Sequence, residues 1–207
     1  MMMKTMLYIT RHGETEWNVE KRMQGRKNSN LTETRILQAK QLGKRMQDMQ
    51  LDVIYSSPSG RTMHTAQLIK GDRDIPIVAD EHLYEIDMGV WEGQTQVELQ
   101  EKYPKELDLF WNAPHQYESN SGESFYAARE RVLKGLKYIL QKHEGESVLI
   151  VSHAVTALLM MGHFERRSIE KTWDGPFMHS TSLSMIEVKE GESTVHLFAD
   201  IAHFEEV

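Results

Sequence analysis

An apolar run that ends at Arg11-His12-Gly13 limits the possible folds of this chain more than any other feature. Residues 6–9 read Met-Leu-Tyr-Ile, which is typical of a short buried strand. Gly13 then favours a turn in which the backbone comes close to a ligand. The run therefore predicts a strand that carries a guanidinium and an imidazole at its carboxyl end, the edge at which open α/β sheets bind ligands.

The same arrangement recurs at two later places. Residues 148–151 read Val-Leu-Ile-Val, a second buried strand pattern, and His153 follows almost at once. Residues 53–55 form a third strand pattern, which leads through a turn to Arg61. Because the carboxyl ends of parallel strands meet at one edge of a sheet, we expect His12 and these two later side chains to share a single rim.

Strand and helix patterns alternate in the first eighty residues. The apolar spacing predicts a helix over residues 36–49 and another over residues 61–69. Residues 75–78 read as a short strand, and Pro76 favours a position at the edge of the sheet. This order predicts a mostly parallel sheet with right-handed crossovers.

The alternation of strand and helix patterns is interrupted between about residues 94 and 122, which are polar and contain two prolines and several aromatic residues. We expect short helices and loops there that form a cap over the rim. A long helix is predicted over residues 124–142 and a shorter one over residues 155–161. Residues 182–187 and 194–198 have the pattern of a closing hairpin.

The length and composition fit one globular domain. The chain has 207 residues, of which 40% are hydrophobic and 27% charged, and this is ordinary for a single well-packed domain. The predicted fold class is α/β: a three-layer α/β/α sandwich with a mostly parallel central sheet, an antiparallel closing hairpin and a small helical cap. We expect a single domain over residues 1–207, with the cap inserted at about residues 94–122.

The ordered set of polar residues resembles the histidine phosphatase superfamily, the phosphoglycerate mutase-like group. A lone Arg-His-Gly is a weak signal, whereas the whole set in this order is specific, and it spans roughly residues 7 to 184. The residues that carry the resemblance are Arg11-His12-Gly13-Glu14-Thr15, Asn18, Gln24-Gly25, Ser56-Ser57, Arg61, Glu85 and Ser152-His153.

The residue types suit the transfer of a phosphoryl group. Such a group carries about −1.5 to −2 charges at neutral pH and needs several fixed donors. Two arginines can each offer a planar fork to two oxygens. We expect neighbouring guanidiniums to hold the nucleophilic imidazole of His12 neutral. The predicted substrate-binding residues are Arg11, Asn18, Gln24, Gly25, Arg61 and His153.

A proton must also reach the leaving oxygen. The resemblance implies that Glu85 is the general acid, and Asp87 offers a second carboxyl two residues later. As a conjugate base, Glu85 would then activate the water that cleaves the phosphohistidine. The predicted catalytic residues are His12, Glu85, Arg11, Arg61 and His153.

Composition limits the partners. The net charge of −7 and the pI of about 5.8 argue against nucleic acid or an anionic membrane as the main partner, since both require a basic field. The absence of cysteine excludes disulfides, zinc–thiolate sites and a cysteine nucleophile. We expect a small phosphorylated substrate, no cofactor, no metal site, a cytoplasmic location, and a monomer or a homodimer.

Three other functions remain to be weighed against a broad phosphomonoester hydrolase. A cofactor-dependent phosphoglycerate mutase would need more cations in the cap, which has two lysines against five acidic residues. The Arg22-Met23-Gln24-Gly25 segment also resembles the phosphatase branch. A non-catalytic phosphate or phosphopeptide-binding module would lack one of the reactive residues, and a metal-dependent hydrolase would show ligand spacing. The sequence therefore favours hydrolysis of a less charged or partly apolar phosphomonoester.

Several positions depart from the family's usual residues. Ala154 stands where glycine is common, and Ser180 stands where asparagine is common. Asn30 replaces a usual proline, and Lys27-Asn28 replaces a hydrophobic or acidic pair. We expect activity to survive these changes, with an effect on efficiency and on the choice of substrate.

Overall fold

A six-stranded mixed sheet forms the centre of the computed structural model, which describes residues 4–204 except for the side chain of Arg35. The strands are β1 (Thr5–Arg11), β2 (Val53–Ser56), β3 (Ile77–Ala79), β4 (Ser147–Ser152), β5 (Leu183–Lys189) and β6 (Glu192–Asp200). Their order in the sheet is β3-β2-β4-β1-β5-β6. The pairs formed among β1, β2, β3 and β4 are parallel, whereas β5 is antiparallel to both β1 and β6.

Helices cover both faces of the sheet because alternate strand residues point to opposite sides. The helices are α1 (Glu16–Val19), α2 (Glu33–Arg45), α3 (Gly60–Lys70), α4 (Gln96–Lys102), α5 (Pro104–Asn112), α6 (Phe125–Lys142) and α7 (Ala154–Phe164). One face packs its apolar side chains, such as Ile9 and Ile150, against α6 and α7, and the other packs Tyr8 and Leu149 against α2 and α3. The predicted three-layer α/β/α class with a closing hairpin is thus confirmed.

The second helix is the element whose predicted bounds differ most. It ends at Arg45, whereas the apolar spacing predicted helix to residue 49. Residues beyond Arg45 continue as tight turns, in which the Met49 amide donates to the Met46 carbonyl. Met49 still packs against the core from this turn, so its hydrophobic position was correctly read from the helical period although its conformation was not.

The segment predicted as a cap contains α4, α5 and a 3₁₀ turn over Pro114–Gln116. Its side chains form a separate apolar cluster with the amino-terminal parts of α6 and α7. Trp91, Phe110 and Tyr117 lie at the centre of this cluster and are at most 4% exposed. Residues 1–3 and 205–207, which the predicted domain over 1–207 includes, lie outside the described residues.

Candidate active site

His12 follows directly after β1 and is buried, with 3% of its surface exposed. Its backbone amide donates to the Ser152 carbonyl at the end of the neighbouring strand β4, at 2.9 Å. The ring Nδ1 lies 2.6 Å from the Gly13 carbonyl oxygen, which can only accept, so Nδ1 carries the proton. The ring Nε2 accepts a hydrogen bond from Arg61 Nε at 3.2 Å. These two contacts assign the tautomer in which Nε2 holds the lone pair.

Arg61 lies in the first turn of α3 and is 2% exposed. Besides its contact with His12, its Nη1 donates to the Lys27 carbonyl at 2.5 Å, and its Nη2 donates to the Gly25 carbonyl at 2.7 Å. Nη2 also contacts His153 Nδ1 at 2.9 Å. The predicted phosphate fork of Arg61 therefore requires that a phosphoryl oxygen replace at least one of these protein acceptors.

His153 follows β4 and is fully buried. Since its Nδ1 accepts from Arg61, its Nε2 is the protonated nitrogen and donates to Ser57 Oγ at 2.9 Å. The centres of the His12 and His153 rings are 5.3 Å apart, in an edge-on arrangement. The structure thus brings together the two imidazoles and the guanidinium from three distant parts of the chain.

Both imidazoles are held neutral at physiological pH. Burial lowers the pKa of His12 well below its ordinary value, and the charges of Arg61 and Arg11 lower it further. Burial likewise lowers the pKa of His153 far below its ordinary value, with Arg61 as the next cause. The prediction from sequence explained the neutral state of His12 by the arginines alone, whereas burial is the larger cause of its lowered pKa. Burial also lowers the pKa of Arg61 to about 10, which leaves it charged at neutral pH.

Arg11 and Gly25 complete the polar end of the site. Arg11 lines the cavity, and its Nη1 donates to the Met178 carbonyl at 2.9 Å. Gly25 also lines the cavity and has a φ of 52°, a left-handed conformation in which a side chain would collide with Glu92. Gly25 is thus required for the turn that points its carbonyl at Arg61.

Asn18 and Gln24 line the same cavity, and both hold the first loop in shape. Asn18 Oδ1 accepts from the Thr15 amide at 3.0 Å, which completes a capping box at the start of α1. Gln24 Nε2 donates to Thr15 Oγ1 at 2.7 Å, and Gln24 Oε1 accepts from Ser29 Oγ at 3.3 Å. The contacts of Asn18 and Gln24 therefore support the loop, and a direct bond from either side chain to phosphate stays a prediction.

Glu85 reaches the cavity from the segment that follows β3 and is 6% exposed. Its Oε1 accepts from the Ile86 amide, the Thr156 amide and Thr156 Oγ1, at 3.0 to 3.2 Å. Its Oε2 accepts from the Val155 amide at 3.2 Å. Two of these amides belong to the first turn of α7, where helical N–H groups have no partner within the helix. The neighbouring Asp87 does not share this position and lies 3.6 Å from Arg26.

The side of the cavity that is formed by α5 and residues 173–178 is largely apolar. The cavity has a volume of about 630 Å³, and its mouth is formed by α5 and by the loop before β5. Trp111 is 38% exposed there, Phe177 is 70% exposed, and Trp111 packs against Trp173 with ring centres 4.7 Å apart. Sequence reasoning overlooked residues 173–178. Their aromatic content just before a predicted strand was the available signal.

Two of the residues that differ from the family's usual ones, Ala154 and Ser180, line the cavity. Ala154 is the first residue of α7, and Ser180 is 9% exposed. Trp111 lines the cavity, whereas Tyr117 is buried in the cap cluster.

Among the described residues, no group of three or more histidine, aspartate or glutamate side chains is arranged to hold a metal ion. No helix within residues 4–204 is long and apolar enough to cross a bilayer.

Comparison with known families agrees with the geometry. The family model described as "Histidine phosphatase superfamily (branch 1)" matches residues 7–201. The chain belongs to this superfamily. The match begins within β1 and ends just beyond β6, so it includes all the site residues described above.

Individual relatives carry names of two kinds. "Phosphoserine phosphatase 1" of Hydrogenobacter thermophilus is 33% identical over 189 residues, which cover 91% of this chain and 89% of that protein. "Probable phosphoglycerate mutase GpmB" of Salmonella arizonae is 36% identical over 149 residues, covering 72% of this chain and 69% of that protein. The solved structure of Bacillus stearothermophilus YhfR is 45% identical with a TM-score of 0.95, and covers 97% of this chain and 100% of that one.

Proposed function

We propose that the protein hydrolyses phosphate monoesters through a phosphohistidine formed on Nε2 of His12. The observation that carries the proposal is the tautomer of His12. Its Nδ1–H is bound to the Gly13 carbonyl, and its Nε2 lone pair accepts a hydrogen bond from Arg61 Nε. A buried imidazole in this state is a nucleophile that needs no prior deprotonation.

The first step transfers the phosphoryl group to the protein. His12 Nε2 attacks phosphorus, the bond from phosphorus to the leaving oxygen breaks, and protonated Glu85 gives its proton to that oxygen. Among the described residues, Oε1 of Glu85 accepts hydrogen bonds from two backbone amides, whereas Oε2 accepts from one. Oε2 is therefore the oxygen that holds the transferred proton.

The second step releases phosphate. The Glu85 carboxylate takes a proton from water, the resulting hydroxide attacks phosphorus, and the phosphorus–nitrogen bond breaks. Inorganic phosphate leaves and His12 returns to its neutral form, with Glu85 again protonated. Charge on the transferred group is stabilised by Arg11 and by Arg61, whose Nε–H donates to a phosphoryl oxygen in place of His12 Nε2 when substrate is bound.

The apolar mouth supports a substrate with an aromatic or aliphatic leaving group. Trp111, Phe177 and Leu158 line this part of the cavity, and each can cover apolar surface of the substrate. The name of the Hydrogenobacter relative, a phosphoserine phosphatase, fits hydrolysis as the reaction class. We extend the proposal to small phosphorylated substrates, a cytoplasmic location that a cysteine-free chain suits, and a monomer or homodimer.

Phosphoglycerate mutase activity has weaker support, although the Salmonella relative carries that name. A bisphosphorylated intermediate needs a second set of cations beside the first. Lys21 and Arg22 line the cavity, but Arg22 pairs with Glu20 and donates to the Gly93 carbonyl. Lys102 of the cap donates to Gln94 and is not among the described residues that line the cavity.

A turnover assay with p-nitrophenyl phosphate in excess chelator tests the proposal. The protein should release p-nitrophenol with chelator present, and His12→Ala should abolish the release. His64→Ala is the matched control, since His64 is exposed on α3. Loss of turnover on chelation would favour a metal-dependent hydrolase, and phosphate binding without turnover would favour a binding module. Interconversion of phosphoglycerates that depends on a bisphosphorylated primer would favour the mutase.

A further inference from the structure

A partly buried ion pair behind the cavity holds the segment that carries Glu85. Arg131 lies on α6, and Glu123 lies just before the start of that helix. Arg131 Nε donates to Glu123 Oε1 and Arg131 Nη2 donates to Glu123 Oε2, both at 2.7 Å. The two side chains are 17% and 18% exposed. Such a two-bond fork fixes both partners in orientation as well as distance.

The other donors of Arg131 bind backbone carbonyls. Nη1 donates to the carbonyls of His82 and Tyr84 at 2.8 and 2.9 Å, and Nη2 donates to the carbonyl of Glu85 at 3.3 Å. A guanidinium has five N–H donors, and the fork to Glu123 uses the remaining two. Every donor of Arg131 is thus bound, and three of the five hold the chain at or just before Glu85.

Glu123 holds the same segment from its other end. Its Oε2 accepts from the Asp87 amide at 3.0 Å, and its own amide donates to the Asp87 carbonyl at 2.8 Å. Residues 84–88 belong to no helix or strand, so no regular backbone ladder fixes them. Their backbone groups depend on side-chain partners, and Arg131 and Glu123 supply the bonds to the carbonyls of Tyr84 and Glu85 and to the Asp87 amide.

Glu123 also joins the loop that holds Arg61. Arg26 Nη2 lies 3.3 Å from Glu123 Oε1, and the carbonyls on either side of Arg26, those of Gly25 and Lys27, accept from Arg61. Burial acts to raise the pKa of Glu123, but hydrogen bonds from Arg131 and from the Asp87 amide, with the charge of Arg26, lower it overall. Glu123 is therefore ionised at neutral pH and pairs with two arginines.

We propose that Arg131 and Glu123 are positioning residues for proton transfer by Glu85. Neither is among the described residues that line the cavity, so both act through the backbone of residues 82–87. They set where that backbone meets the first turn of α7, and therefore where Glu85 Oε2 stands relative to the leaving oxygen. The inference rests on the proposed role of Glu85 as general acid.

The test compares two substrates that differ in their need for an acid. The leaving group of p-nitrophenyl phosphate departs readily as an anion, whereas the alkoxide of benzyl phosphate requires a proton. Displacement of a catalytic group by about 1 Å costs on the order of 10²-fold in rate. Arg131→Met and Glu123→Gln should each lower kcat/KM for benzyl phosphate by about 10²-fold, and for p-nitrophenyl phosphate by much less.

Four further variants make the result decisive. Glu85→Gln should show the same selective loss, and Arg131→Met added to Glu85→Gln should cause little further loss for benzyl phosphate, since both changes remove one function. Arg131→Lys should keep part of the kcat/KM that Arg131→Met loses. This variant keeps the inference testable if Arg131→Met does not fold. Lys137→Met, an exposed change on the same helix, should leave both substrates unaffected.

The outcomes separate the two proposals. Equal losses for the two substrates in Arg131→Met, or losses that multiply with those of Glu85→Gln, would reduce Arg131 to a structural residue and overturn this inference alone. If Glu85→Gln is itself unselective, the acid role of Glu85 is wrong and the inference fails with it. Retained turnover in His12→Ala would instead overturn the proposed hydrolysis through phosphohistidine.

Discussion

The inner and outer parts of the cavity are built in opposite ways. At the inner end, His12, Arg61 and His153 are at most 3% exposed and are bound to one another and to backbone carbonyls. At the mouth, Trp111 and Phe177 are 38% and 70% exposed, and their side chains contact the rings of Trp173 and His179. The inner groups have few alternatives to their present positions, whereas the outer ones can adapt to different neighbours.

This contrast indicates that the inner end carries out the chemistry and the mouth binds the leaving group. Phosphoryl transfer requires charges and a lone pair at fixed positions before the substrate arrives, which the buried network supplies. Burial of the leaving group requires only apolar side chains at the mouth, and the same side chains can cover the leaving groups of several substrates. One rigid reaction centre with an adaptable mouth is the arrangement expected of a phosphatase with broad specificity.

The largest expected effect follows from removal of the inner guanidinium. Arg61→Met should lower kcat by about 10³-fold or more, the scale reported for arginines that stabilise phosphoryl transfer. Arg22→Met removes a guanidinium from the outer part of the same cavity and should change kcat by less than about tenfold. Steady-state kinetics of both variants, after their folding has been checked by circular dichroism, measure the difference. Similar losses for Arg61→Met and Arg22→Met would contradict the division between inner and outer parts.

Changes at the mouth should alter selectivity rather than chemistry. Trp111→Ala and Phe177→Ala each remove apolar area worth about 1.5–3 kcal/mol if fully covered, so we expect a loss of about tenfold in kcat/KM for 1-naphthyl phosphate. Glycerol phosphate should lose much less, because its leaving group is small and polar. Tyr126→Ala is the control, since Tyr126 is exposed on α6 outside the cavity. An equal loss for the two substrates would show that the mouth contributes to the chemical step.

A smaller effect concerns the cost of burying neutral imidazole. The pKa of His153 is well below its ordinary value in the folded protein, mainly because of burial, whereas an unfolded chain has a histidine pKa of about 6.5. Below pH 6.5 the unfolded state therefore binds more protons, and the free energy of unfolding should fall as the pH falls. One such histidine contributes a slope of up to about 1.4 kcal/mol per pH unit.

Urea denaturation between pH 7 and pH 5 measures this slope. His12, with its pKa lowered by the same cause, adds to the slope of the wild-type protein. His153→Gln should reduce the slope, while His179→Gln, a change at the exposed mouth, should leave it as in the wild type. A slope that His153→Gln does not change would contradict the neutral, buried state assigned to this imidazole.

The features of the fold and the site that could be predicted are those that local sequence patterns determine. The apolar runs before His12 and His153 fix buried strands, and parallel strands end at one edge, so the meeting of the two imidazoles follows from the pattern. The helical period also identified the core face of α6, including Val132 and Ile139.

Other features depend on contacts between distant residues. Glu85 is held by amides of Val155 and Thr156, some seventy residues later, and no periodicity signals this contact. The forked pair of Arg131 and Glu123 is equally invisible, because a charged residue near a helix start usually faces water. The resemblance to the superfamily supplied the role of Glu85, and only the fold supplies its supports.

The central claim is that a neutral His12 carries the phosphoryl group. Peptide mass spectrometry after rapid alkaline quenching of a reaction with p-nitrophenyl phosphate tests this most directly. Glu85→Gln should enrich the intermediate, since the good leaving group needs little acid whereas the water step has lost its base. We predict one phosphoryl group on His12 in this variant and none in His12→Ala. A phosphoryl group on any other residue, or continued turnover of His12→Ala, would contradict the account.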